Sequence, residues 1–102
     1  MRFQLVLQWS ASSLNDFDEI VNIEDLLIAK LKGQSEVDGH DFGSGEANIF
    51  VHTNNPHQAL EEIRAILSAH RLWPSTAIAY REILGTEYRV LWPEGITGFN
   101  VR

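Results

Sequence analysis

The sequence predicts an α+β fold, a two-layer sandwich of the ferredoxin-like kind, on three observations. The chain opens on a period-2 alternation of apolar residues, two later stretches repeat apolar residues at helical spacing, and the runs between them are punctuated by glycine and proline. The elements read β-α-β-β-α-β with an additional C-terminal β-strand. A helix with one apolar side must bury it, and the economical solution lays both helices on one face of an antiparallel sheet. Strands one and three then lie side by side in the centre, with the reverse face of the sheet open.

In strand one, Phe3, Leu5, Leu7 and Trp9 alternate with Arg2, Gln4, Val6 and Gln8, which puts the large apolar groups on one face. The first helix is expected within "SSLNDFDEIVNIEDLLIAKLKG", with Phe17, Ile20, Val21, Leu27, Ile28 and Leu31 along one side and Ile23 and Leu26 off that stripe. Ser13 and Asp16 offer a cap, Lys30 and Lys32 suit the last turn, and Gly33 can close the helix. A weak strand in "QSEVDGHD", a turn at "FGSG" and a stronger strand in "EANIFVHT" make a hairpin. In "NNPHQALEEIRAILSAHRLW" asparagine caps a second helix, Pro56 fits its first position, and Ala59, Leu60, Ile63, Ile66, Leu67 and His70 form its apolar side. Trp73-Pro74 breaks that helix, and "STAIAYREI", a turn at "LGT" and "EYRVLW" supply two more strands. Residues 93–102 read as a loosely attached tail of a single domain spanning 1–102.

Composition narrows the functional classes. At 102 residues, 44% apolar and 22% charged, the chain has the make-up of an ordinary globular domain. It has no cysteine, which excludes disulfides, thiolate metal ligands and thiol nucleophiles. Fourteen acidic against eight basic residues give a net charge of −6, which repels a phosphate backbone, so nucleic acid is not an expected partner. Gln4 and Gln8 interrupt the opening apolar stretch, unlike a signal peptide, and no segment reaches the length of a membrane span. A soluble cytoplasmic protein with no membrane partner and no cofactor is expected.

The chemistry-bearing residues gather in Asp38 to Phe50, "DGHDFGSGEANIF". Two hairpin registers are open. A Gly43-Ser44-Gly45 turn sets Phe42 opposite Glu46, His40 opposite Asn48 and Asp38 opposite Phe50. A loop of Gly43-Ser44 alone instead pairs His40 with Ala47 and puts it on the face of Ile49 and Val51. A one-residue slip reverses every assignment. The first is preferred because it gathers Asp38, His40, Asn48, Phe50, His52, Gln4 and Gln8 on the open face, where a carboxylate can orient an imidazole as base, ligand or donor. The bland alternative is that Asp38 and Asp41, beside Gly39 and Gly43, only bond nearby backbone amides. His40 and His52 lack a metal-binding spacing motif, "GSG" lacks the lysine and following helix of a phosphate loop, and Ser44, His40 and Asp41 are too close in sequence for a catalytic triad. Trp92, before Pro93 at the end of the last strand, is the aromatic best placed for a sheet-edge partner or homodimer.

With "VHTNNP" and the later "LWPEG", this hairpin resembles small bacterial proteins sharing a D-G-H-D-x-G-S-G-x-x-N-I-F pattern. The resemblance marks the hairpin as a signature and carries over neither an activity nor an active site. The expected function is a non-enzymatic binding or protein-interaction module, in one version an immunity-type protein that neutralises a basic toxin. The alternative is a small-molecule or metal-dependent enzyme or sensor built on Asp38, His40, Asn48 and His52.

Overall fold

Strict alternation in the opening stretch gives β1 (Phe3–Ser10), and the next apolar periodicity gives α1 (Phe17–Lys30). The hairpin strands are β2 (Ser35–Gly43) and β3 (Glu46–Thr53), followed by α2 (Pro56–Ala69), a 3₁₀ turn at Trp73–Ser75, β4 (Ala77–Glu82) and β5 (Arg89–Trp92). The computed structural model describes residues 2–10, 17–31, 33, 35–43, 45–70 and 72–93. The expected cap at Ser13 and Asp16, Lys32, Ser44, Glu94 and the tail beyond Pro93 lie outside these residues, as does the side chain of Phe17.

The strands form one five-stranded antiparallel sheet in the order β2-β3-β1-β4-β5, so β1 and β3 are neighbours and the fifth strand extends the edge formed by β4. Leu5 lies opposite Val51 and Tyr80, and Leu7 opposite Ile49 and Ile78, which fixes one face of the three central strands. That face meets both helices in a single core. Leu5, Leu7, Trp9, Ile49, Val51 and Ile78 pack with Ile20, Ile23 and Leu27 of α1 and Ala59, Ile63 and Leu67 of α2. Each fully buried Leu or Ile side chain contributes about 1.5–3 kcal/mol.

Local signals explain the second helix well. Asn55 accepts a bond from the Gln58 amide at 3.1 Å, and Pro56 occupies the first turn, where its missing N–H costs nothing. The helix ends at Ala69 rather than continuing to Trp73, and His70 is exposed rather than part of the apolar side. The first helix is rotated from its expected stripe: Ile23 is buried, whereas Ile28 is 58% exposed. Positions 20, 23, 27 and 31 follow the helical repeat more closely than a stripe through 28, and burial of one long side chain displaces the other.

Trp9 shows how the core tolerates a polar atom. Its indole N–H donates to Thr76 Oγ1 at 2.7 Å, and the Thr76 hydroxyl donates to the Leu72 carbonyl at 2.7 Å. This relay ties β1 to the segment between α2 and β4, and leaves neither buried group unpaired.

Candidate functional site

The observed hairpin register differs from both expected ones. Gly43 pairs with Glu46, Phe42 with Ala47, Asp41 with Asn48 and His40 with Ile49. Gly45, with φ of 78°, takes the left-handed conformation that this tight connection requires. Further along β2, Gly39 lies opposite Phe50 and Val37 opposite Val51, so Asp38 is an extra residue in a β-bulge. Gly39 has φ of 148°, strained for any residue with a Cβ.

That bulge changes which side chains meet. His40, opposite Ile49, turns toward the helices, and its Nδ1 lies 3.0 Å from Glu24 Oε2 of α1. The expected gathering of His40 with Asp38 and Asn48 on one face is therefore overturned. The pairing of Gly43 with Glu46 sets His40 opposite Ile49, and the extra residue, Asp38 between Val37 and Gly39, moves Asp38 to the other face. β2 is also a full nine-residue strand, longer than the weak run expected.

On the face turned away from the core, Asp38 does meet His52: Oδ2 is 3.5 Å from Nε2, and Gln4 Nε2 approaches the same ring nitrogen at 3.4 Å. An unprotonated Nε2 accepts from the Gln4 amide, and a charged ring lies at ion-pair distance from Asp38. The second cluster on this face is an amide pair with a carboxylate. Gln8 donates to Glu46 Oε2 at 3.0 Å and to Asn48 Oδ1 at 3.1 Å.

The middle of this face is not the open polar surface expected. Val6 and Ala79, opposite one another on β1 and β4, are fully buried; Asn48 is 2% exposed and Phe50 is half-buried. An apolar Val6 between Gln4 and Gln8 was the signal that this centre is covered. Exposure is retained at the β2 margin, where Glu36, Asp38 and Asp41 are exposed and Glu46 is half-buried. Beyond the His52 ring beside Asp38, the hairpin brings no permanent cation to these carboxylates, because Ser35 to Thr53 contains neither lysine nor arginine.

Trp92 belongs to the core side. It lies opposite Ile78 and stacks on Trp73, with ring centroids 5.0 Å apart, and the Arg64 guanidinium sits 5.5 and 5.7 Å from the two ring centroids. Half-buried in this stack, it packs β5 against the 3₁₀ turn that follows α2 and against Arg64 of α2, which an end-of-strand position in the sequence does not reveal.

A cavity of about 480 Å³ lies at the opposite margin of the sheet, lined by Phe3, Tyr80 and the connection from β4 to β5. In the sequence "LGT" reads only as a turn, although charged and aromatic residues are dense around it in "YREILGTEYR".

Among the described residues, no group of three or more His, Asp or Glu converges as a metal-ligand set, and no helix is long and apolar enough to cross a membrane. No protein-family model matches the chain, and no curated protein matches it either.

Proposed function

We propose that this protein is a non-enzymatic binding or protein-interaction module of the immunity type, which engages a basic protein partner through the β2 margin. The observation that carries the proposal is the bulge at Asp38. With His40 set opposite Ile49, the bulge turns Asp38 to the other face and outward among Glu36, Asp41 and Glu46, so the alternative grouping of Asp38, His40, Asn48 and His52 is not gathered on one face. A carboxylate margin with no lysine or arginine of its own speeds encounter with a basic surface and selects against acidic partners.

The fold reading that goes with this function is a ferredoxin-like sandwich extended by a fifth strand. Its support is the order β2-β3-β1-β4 within the larger sheet and the shared core of the two helices. Cytoplasmic residence fits a chain without cysteine. A homodimer through β2 would oppose like charges along its bulged edge, so a sheet-edge dimer is better assigned to β5.

The test compares the wild-type protein with Asp38→Asn/Asp41→Asn/Glu46→Gln as bait in native lysate. Capture of a basic protein by the wild type, lost in the variant and weakened by salt, is the expected result. Equal capture by both baits, or capture of no basic protein, ends the proposal. A second function, a small-molecule sensor or enzyme, is favoured by one observation, the Asp38–His52–Gln4 contact. Ligand-induced shifts of the His52 ring that vanish in Asp38→Ala would support it.

A further inference from the structure

The cavity beside the β4–β5 connection is a built feature. Arg81 Nη1 donates to the carbonyls of Glu82, Ile83 and Gly85 at 3.1, 2.8 and 3.1 Å, and its guanidinium lies over the Tyr88 ring at 5.9 Å. One side chain thus holds the connection in a fixed arch. The Ile83 amide adds a bond to the Arg2 carbonyl at 2.9 Å, anchoring the arch to the start of β1.

Beneath the arch, Phe3 and Tyr80 meet edge to face with centroids 5.8 Å apart and provide an aromatic wall. Arg89 lies opposite Tyr80 in the β4–β5 ladder and therefore on the same face of the sheet. Of the charged groups lining the cavity, Arg81 is occupied by the arch and Glu82 is paired with Arg2 at 3.3 Å. Among the described residues, Arg89 and Glu87 take part in no ion pair, so the lining keeps one cation and one anion available, with the Thr86 hydroxyl near them.

From this set we infer that the cavity binds a small aromatic zwitterion of the free α-amino acid class. Its volume falls in the range of small-molecule sites, the rings of Phe3 and Tyr80 accept an aromatic body, Arg89 pairs with a carboxylate and Glu87 with an ammonium. A simple aromatic acid would leave Glu87 beside its carboxylate, and a simple amine would leave Arg89 beside its ammonium. Only a ligand carrying both charges satisfies both. The site is separate from the β2 margin and stands whether or not the protein engages a basic partner there.

The test is an amide-resolved NMR titration of the whole protein with L-phenylalanine, 3-phenylpropionate and phenethylamine. The expected result is saturable shifts at Phe3, Thr86, Glu87 and Arg89 with L-phenylalanine, and weaker binding of the other two probes. Arg89→Gln and Glu87→Gln should each weaken L-phenylalanine binding by about tenfold, the worth of one charge-assisted contact, while the amides of Ser35 to Thr53 keep their positions. Absence of saturable shifts up to the solubility limit, equal binding of the three probes, or unchanged affinity in both variants would overturn the inference.

Discussion

The β2–β3 hairpin takes its shape from backbone freedom at Gly39 and Gly45, whereas the β4–β5 ribbon takes its shape from a single side chain, Arg81. In the first, two positive-φ glycines set the turn and the bulge, and side chains then occupy whichever face the bulge assigns. In the second, strands of six and four residues are joined by a longer connection that one guanidinium gathers by its carbonyls. The difference shows that hairpins in one sheet can be specified by opposite means, and that each means fails to a different substitution.

The largest expected effect tests the backbone half of this contrast. Gly39→Val places a β-branched residue at φ of 148° and should cost about 2–3 kcal/mol in urea denaturation. There is open space around a Cβ at Gly39, so a large loss must come from the backbone; a loss within error would remove that half of the contrast. Arg81→Ala should cost less, about 1–2 kcal/mol, because the freed carbonyls lie at a half-exposed surface where water replaces the lost bonds. Its sharper readout is amide hydrogen exchange, raised from Ile83 to Tyr88 and unchanged in β2; a rise spread equally over both hairpins would erase the distinction. The smallest effect belongs to His40 and Glu24. Their ion pair is partly exposed, so a His40→Ala/Glu24→Ala double-mutant cycle should give a coupling of about 0.5 kcal/mol. Zero coupling, together with coupling of His40 to Asp38, would return His40 to the outer face.

Much of the architecture was legible because it rests on patterns repeated several times. Strict alternation in β1, the Asn55-Pro56 start of α2 and the Ile49 and Val51 pair each point to one arrangement, and each is supported by neighbours that agree. The site was less legible because it depends on phase. A bulge adds one residue and inverts everything on one side of it, and the sequence around Gly39 reads equally well as a turn approach. Val6 and Ile28 were misjudged for a related reason: alternation and helical spacing say which residues share a side but not how much lies over that side. The cavity beside Arg81 left only a local trace, the charged and aromatic density of "YREILGTEYR", because Phe3 comes from the other end of the chain and only the β1–β4–β5 pairing brings it to Arg89.

The stacked indoles of Trp73 and Trp92 also give the molecule an optical handle. Two such chromophores 5.0 Å apart and inclined by 29° couple their excited states, and the nearby Arg64 cation perturbs both. Because one ring belongs to the last strand and the other to the turn that follows α2, the near-ultraviolet circular dichroism of this pair reports whether β5 is seated, with no label attached.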